Sequence, residues 1–481
     1  MRRRLPDPEA DLVAVLVIGA GASGVATARA AAAAAAVQAP GRPPARVVLV
    51  GDTRPGGGAR LVADGGTLLD RATRGLDWHA TMAQLRTVRA VVEDRSREAA
   101  LRADGVEFVP GHARLAGGGL VTIEPAGPVA AGRVPERLRA GRIVLATGDE
   151  PRLPEVSGLA DTRYLTAETV LGLADLPPTL IVLGGGAQGC EFAQAFARFG
   201  VQVTLVEAAA RLLPDEHPEA SALVTQALRA DGVRVVTGSR VTTVAPTLDG
   251  GAWLGIGPGG DVAADGLLLA TGRQAAVRGL DLPAAGVRLT ASGWLGVDEY
   301  LATTGPRVLA VGRATGLLPH GCTDPVMARV AGANAVARRP RSRWTPAGLP
   351  RVVRTEPTVA TVGIGPAEAG GVPGARVGAM PLGGFDHALL GNSPNGLVSL
   401  VGALRAPRRP VALRGRGGQG GKASALLGAS VIGPQAAELA GLVAVALRAG
   451  LTVEQLAEAP LSSRSWAAAL QHAAAGFSAP A

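Results

Sequence analysis

The sequence predicts an α/β fold in which one strand–turn–helix–strand unit occurs twice, ahead of a C-terminal α+β region. Three observations predict it. A glycine pattern of the same spacing follows a short apolar run at 19–24 and again at 184–189. Each unit is followed by a further apolar strand ending in Ala-Thr-Gly. Glycine (68 residues) and proline (35) are plentiful, which suits many tight turns between short elements.

In chain order, the apolar run 13–18 reads as a buried strand that enters Gly19-Ala-Gly21-Ala-Ser-Gly24. An alanine-rich helix follows, its alanine run 30–36 leading to a loop at Pro40 to Pro44, and Val47–Val50 is the second strand. Residues 143–148 form a strand that ends in Thr147 and Gly148. The second unit runs from the strand 180–183 through Gly184-Gly-Gly186-Ala-Gln-Gly189, a helix from Cys190 to Phe199, and the strand 201–206, to Glu207. Residues 267–272 repeat the Ala-Thr-Gly ending at Gly272, and 308–312 is one more strand. From about residue 350, short strands alternate with helical stretches at 434–449, 453–458 and near 466–475. Segment 404–422 is rich in Arg, Gly and Pro without an apolar period and reads as an exposed loop.

The glycines have a physical task. The first permits a tight turn, the second lets a pyrophosphate approach the backbone, and the third lets helix and strand pack closely. The helix N-terminus then offers N–H donors and a partial positive charge to the phosphates. A doubled pattern predicts two Rossmann-like dinucleotide-binding domains. Gly19, Gly21 and Gly24 form the first turn; Gly184, Gly186 and Gly189 form the second. Glu207 ends the second strand of its unit, eighteen residues past Gly189. A carboxylate there accepts the adenosine ribose hydroxyls and repels a 2′-phosphate. Ala208–Ala210 supply no cation, so NADH is favoured over NADPH.

Composition excludes several other classes. Hydrophobic residues make up 47% and charged residues 18%, which is globular. The net charge of +9 raises the prospect of nucleic acid, but the single lysine is Lys422, the arginines are scattered, and aromatics are 3%. No nucleic-acid partner is expected. Cys190 and Cys322 are too far apart to organise a disulfide framework. The six histidines lack metal-ligand spacing, and His320 with Cys322 cannot complete a tetrahedral site, so no metal is expected. The basic start and apolar run lead straight into a glycine motif, unlike a signal peptide, and no stretch reaches the roughly 20 apolar residues of a membrane span. A cytoplasmic protein with no membrane partner is expected.

The order of motifs resembles the pyridine nucleotide-disulfide oxidoreductases, the family of glutathione reductase, dihydrolipoamide dehydrogenase and mercuric reductase. The run LATG…YLTAETV…LIVLGGGAQGCEFAQAFARFGVQVTLVE…RLLP is especially similar to mercuric reductase-like members, and Ala437-Glu-Leu439 and Gly450-Leu-Thr-Val453 extend the likeness towards the end. The resemblance implies an FAD domain in two parts (1–150 and 273–345), an NAD domain (151–272) and a C-terminal dimerisation domain (346–481). It implies cofactors FAD and NAD, a homodimer, and hydride passing from NADH to flavin and on to an acceptor.

The chain departs from that family at several working parts. Members carry Gly-Gly-x-Cys and a second cysteine five residues on. Here Ala59 and Asp64 stand at those places, or, if Gly65-Gly66 is the matching pair, Leu68 and Thr73. Neither register holds sulfur, and dithiol chemistry needs two thiols within bridging distance. The C-terminal His-Pro-Thr…Glu pattern falls on Ser463-Arg464-Ser465 and Ala468. The lysine that pairs with the glutamate of the NAD helix falls near Leu68, leaving Glu191 to Arg71 or Arg74. The acid closing the first unit's second strand falls on Gly51, with Asp52 one residue later. The family's Gly-Asp, whose aspartate accepts a flavin ribityl hydroxyl, reads Gly312-Arg313; an arginine only donates, so it suits pyrophosphate rather than that bond.

Two functions are therefore expected to compete. One is an FAD-containing, NADH-dependent oxidoreductase that passes electrons from flavin to a small-molecule acceptor without a redox disulfide. The other is a non-catalytic member that binds NAD and serves in assembly or sensing.

Overall fold

The structure is a computed structural model and describes residues 11–38, 45–51, 65–94, 98–126, 135–257, 260–318, 325–339, 341–404 and 424–477. Asp52, Ala59, Asp64, His320, Cys322, Lys422 and nearly all of the segment 404–422 lie outside the described residues.

The first unit opens with β1 (Asp11–Ile18), α1 (Ala22–Gln38) and β2 (Val47–Gly51). Helices α2 (Gly65–Thr73), α3 (Trp78–Asp94) and α4 (Glu98–Ala103) follow, then β3 (Val106–Gly117), β4 (Leu120–Pro125) and β5 (Arg137–Leu145). The parallel order is β3–β2–β1–β5, and β3 and β5 continue beyond it to pair antiparallel with β4. Val15, Leu16 and Val17 are fully buried, because β1 sits centrally with both faces covered. That is why its sequence is a continuous apolar run rather than an alternating one.

β6 (Asp149–Pro151) carries the chain out to the second unit. There β7 (Thr179–Leu183), α5 (Ala187–Arg198), β8 (Gln202–Val206), α6 (Pro218–Ala230) and β9 (Arg234–Val236) precede an antiparallel trio, β10 (Thr243–Pro246), β11 (Ala252–Gly255) and β12 (Val262–Ala264). β13 (Gly266–Leu269) completes a second parallel sheet, ordered β13–β7–β8–β9. β14 (Arg273–Ala275) returns antiparallel to β6, and β15 (Val308–Ala310) adds to the first sheet beside β5. α7 (Pro325–Val336) then packs on α1. The contact is close because both faces are small: a methyl on Gly332 would lie 2.7 Å from the Ala30 side chain.

The remainder is a five-stranded antiparallel sheet, β16 (Arg351–Val353), β17 (Val359–Gly363), β18 (Ala375–Pro381), β19 (Leu397–Leu404) and β20 (Ser424–Ile432), in the order β16–β17–β20–β19–β18. It is accompanied by α8 (Asp386–Leu390), α9 (Ala436–Ala449), α10 (Val453–Ala457) and α11 (Ala468–Ala475). Buried Val398, Leu400, Leu439, Val443 and Leu470 share one core there. The α/β fold expected from the sequence is present: a mixed sheet with a parallel core and a second, parallel sheet, each with its glycine turn, and a C-terminal α+β part. The helix expected to start at Cys190 starts at Ala187, directly after Gly186, so the glycine turn is itself the helix entry.

Candidate functional site: two matched glycine turns

The two turns are built alike to a tenth of an ångström. Gly19 has φ +111° and Gly184 φ +110°, a region that favours glycine, and in each case an added methyl would stand 2.4 Å from a carbonyl oxygen, of Ala146 or Ala270. A methyl on Gly24 would lie 1.7 Å from the Gly19 oxygen, and one on Gly189 would lie 1.7 Å from the Gly184 oxygen. Gly19 N–H donates to Val50 O at 2.8 Å, as Gly184 N–H donates to Val206 O at 2.8 Å. Each helix opens on the middle glycine: Val25 N–H donates to Gly21 O at 2.9 Å and Cys190 N–H to Gly186 O at 3.0 Å. Among the described residues, nothing lies within 4 Å of a methyl added at Gly21 or at Gly186. The first and third glycines are thus required by packing, while the middle one leaves backbone open to a ligand at a helix N-terminus.

Around this common frame the units differ. Glu207 reaches back over the second turn, accepting Gly185 N–H at 2.5 Å and Ala209 N–H at 2.6 Å. Arg211, the nearest following cation, donates to Leu213 O at 2.8 Å and Pro214 O at 2.6 Å. Its guanidinium is engaged by carbonyls, in keeping with the absence of a cation at 208–210. In the first unit, pairing of Ile18 with Val50 matches pairing of Leu183 with Val206, so Gly51 stands where Glu207 does. A side chain on Gly51 would lie 2.5 Å from the Ala20 methyl and 2.7 Å from Ala20 N. β2 runs through Gly51, and no acid fits there against Ala20.

The threonines of the two Ala-Thr-Gly motifs also diverge. Thr271 Oγ1 donates to Arg152 O at 2.8 Å, whereas Thr147 Oγ1 is buried without a hydrogen-bond partner among the described residues. A buried hydroxyl lacking a partner beside an open turn calls for a ligand or water. Gly148, Gly272 and Gly312 all adopt positive φ at strand ends. Gly312 lies against the first turn, where an added methyl would meet Ser23 Oγ at 2.5 Å. Arg313 does not extend freely towards a pyrophosphate: Nε and Nη2 donate to Asp149 at 3.0 and 2.7 Å. Asp149 was not among the residues expected from the sequence; the only signal was a carboxylate directly after an Ala-Thr-Gly ending.

The expectation for Glu191 is corrected. It is buried on α5 and its Oε1 accepts the backbone N–H of Arg354 at 2.8 Å. Arg71 instead donates to Gln84 at 3.0 Å, and Arg74 pairs with Asp70 one turn earlier at 3.1 Å. The reason is packing. α2 begins with Gly65 against Glu191 and Phe192 and Gly66 against the Arg354 stem, and Leu68 is buried with Phe192 and Phe196. Arg71 and Arg74 lie further along the helix. Leu68 and Thr73 bring no sulfur to this contact, and Thr73 accepts from Arg198 at 2.7 Å. Cys190 is fully buried and its thiol donates to Gly185 O at 3.4 Å. Burial, with the Glu191 and Glu207 charges beside it, pushes that thiol far above its usual range, so it is no nucleophile.

Ser463 and Arg464 are exposed, Ser465 Oγ donates to Ser462 O at 2.7 Å, and Ala468 is buried at the start of α11. No acid–base pair is formed by these residues. Among the described residues no group of three or more His, Cys, Asp and Glu side chains could hold a metal ion. No described helix is long and apolar enough to cross a membrane.

Residues 13–335, which contain both turns, match the family model described as pyridine nucleotide-disulphide oxidoreductase. The chain belongs to that family. Within the pyridine nucleotide-disulphide oxidoreductases it is 35% identical over 345 residues to the mercuric reductase of Streptomyces lividans, covering 71% of this chain and 68% of that one. With the mercuric reductase of Acidithiobacillus ferrooxidans it shares 34% over 66% of this chain and 54% of the other. The chain thus spans about half to two thirds of the length of these relatives. Among solved structures, LpdA of Mycobacterium tuberculosis is similar with a TM-score of 0.76 at 25% identity, over 97% of this chain and all (100%) of that one. The flavoprotein disulfide reductase RclA of Escherichia coli, as its Cu(II) complex, shares the fold with a TM-score of 0.80 at 22% identity, over 97% and 99% of the chains.

Proposed function

We propose that this chain is an FAD- and NADH-dependent oxidoreductase that passes electrons to a small acceptor without a redox dithiol. The observation that carries the reading is the pair of matched turns, each leaving its middle glycine open at a helix N-terminus. Gly19, Gly21, Gly24 and Thr147 would hold the FAD pyrophosphate region, with Gly148 and Gly312 bordering it, and the unpartnered Thr147 hydroxyl supports an occupant there. Gly184, Gly186 and Gly189 would receive the NADH pyrophosphate, and Glu207 its adenosine ribose.

When bound, FAD supplies a centre that accepts a hydride from NADH and releases the electrons onward. The protein's part is to hold the two nucleotides in fixed orientation and to choose NADH by the carboxylate of Glu207. Cysteine occurs twice in the chain, at 190 and 322, so the family's pair five residues apart is missing. The acceptor, a quinone, dye, metal ion or oxidised metabolite, then has to meet the flavin directly. The division at 150, 272 and 345 into FAD, NAD, FAD and dimerisation parts, and a homodimer, belong to the same reading.

A second reading, a nucleotide-binding protein without catalysis, is favoured by the closed contact of Gly51 on Ala20 and by Arg313 held on Asp149. The absorbance spectrum of the purified protein separates the two. Yellow protein that oxidises NADH with a quinone supports the enzyme. Colourless protein that takes up no FAD, yet binds NAD in a calorimeter, sinks the enzyme and leaves the binding protein.

A further inference from the structure

The chain passes between the two nucleotide-binding units twice, and an ion cluster centred on a buried carboxylate stands where the two passes meet. β6 leaves the first sheet, β14 returns from the second, and they pair with Asp149 opposite Ala275. Arg152 N–H donates to Gly272 O and Ala276 N–H to Gly148 O, both at 3.0 Å, which extends the crossing to both Ala-Thr-Gly endings. The Asp149 side chain, 2% exposed, accepts from Arg273 and Arg313. Arg273 follows Gly272 and also reaches Glu168 at 2.6 Å. Arg313 belongs to the short turn Gly312–Thr315, whose first residue abuts Ser23 of the first glycine turn. One carboxylate therefore grips an arginine from the closing motif of each unit.

Such a cluster is strongly asymmetric in energy. Asp149 is the carboxylate shared by both arginines, so removing its charge strips Arg313 of the acid it is hydrogen-bonded to and leaves Arg273 with Glu168. Burial alone would weaken the charge of Arg273, yet Asp149 and Glu168 outweigh it and hold the guanidinium above its usual range. The arginine at 313 is thus fixed by a matching acid and has a defined place.

We infer that Asp149 is a positioning residue that locks the two glycine turns relative to each other through Arg313 and Arg273. The inference rests on the functional reading above for its consequence: hydride transfer demands reacting atoms about 3–3.5 Å apart, and a misplacement of about 1 Å costs about 100-fold in rate. Asp149→Asn keeps the shape and removes the charge. In nucleotide-free protein, hydrogen exchange at the amides of β6, β14 and 312–315 is expected to quicken about tenfold, with β8 and the C-terminal sheet unchanged. In FAD-loaded protein, the limiting rate of flavin reduction by NADH is expected to fall about tenfold or more, with the NADH Kd within about threefold of the parent. Arg313→Lys, which keeps the charge but loses the fork, is expected to lie between the two in both measurements and carries the test if Asp149→Asn does not fold. Unchanged exchange overturns the lock. Faster exchange with an unchanged limiting rate overturns the positioning role. A parent protein that takes up no FAD overturns the functional reading instead, and exchange in the nucleotide-free protein then decides the lock by itself.

Discussion

Ala20 and Gly51 touch so closely that any side chain at 51 would stand 2.5 Å from the alanine methyl. In the second unit the matching residues, Gly185 and Glu207, exchange the places of small and large and are joined by a 2.5 Å hydrogen bond. The first turn therefore has no room at Gly51 for an acid like Glu207.

Restoring the acid alone is expected to fail. Gly51→Asp should destabilise the protein by about 1–3 kcal/mol through overpacking. Gly51→Asp combined with Ala20→Gly should recover most of that loss and tighten FAD binding, read by urea denaturation and flavin fluorescence. Equal stability of the single variant and the parent would count against the contact.

Glu207 is expected to govern the second nucleotide. Glu207→Ala leaves the Gly185 and Ala209 N–H groups without their acceptor and removes the ribose partner. The loss of about 1–3 kcal/mol corresponds to a weakening of NADH binding by about 5- to 150-fold, with the preference over NADPH reduced. Calorimetry with both nucleotides checks it, and an unchanged ratio of affinities would remove Glu207 from the site.

Acid should loosen the crossing. Burial alone would raise the Glu168 pKa, but the charge and hydrogen bond of Arg273 outweigh it and hold the carboxyl below its usual range. A lowered folded pKa stabilises fully above the unfolded value, about 4.3, and the stabilisation is lost as pH falls through the folded value. The parent should therefore be more stable than Glu168→Gln at pH 7, and the gap should shrink steadily below about pH 4. Urea midpoints across that range test the sign; a gap that widens on acidification contradicts it.

The Cys190 thiol should be inert while the chain is folded. In a Cys322→Ser background, labelling by a disulfide reagent is expected to proceed no faster than unfolding of the second unit, and to become immediate in denaturant. Rapid labelling of native protein would show that the contact with Gly185 is wrong.

Much of this arrangement was legible because its signals are local. Spaced glycines after apolar runs marked both turns, and Glu207 stood out by its place at a strand end eighteen residues past Gly189. What escaped depends on contacts between distant segments. Arg313 read as an isolated departure because its partner, Asp149, lies 164 residues away. The family resemblance points Arg71 or Arg74 at Glu191, whereas Glu191 accepts the backbone N–H of Arg354, 163 residues further along. Helix α2 gave little warning: its Gly-Gly start marks a turn in sequence, yet in the fold it is helix pressed against Glu191 and Phe192 of α5.

The pairing of β15 with β5 has a consequence for the making of the protein. Val308 aligns with Ile143, so the first sheet waits for a strand that emerges 165 residues later (308 − 143). Until the ribosome has delivered it, the nascent first unit carries a bare strand edge, and α1 lacks the helix that covers its alanine face. The chain through β15 and α7 must be synthesised before the first sheet and α1 can be sealed. Translation arrest within the second unit should leave a stranded, aggregation-prone fragment.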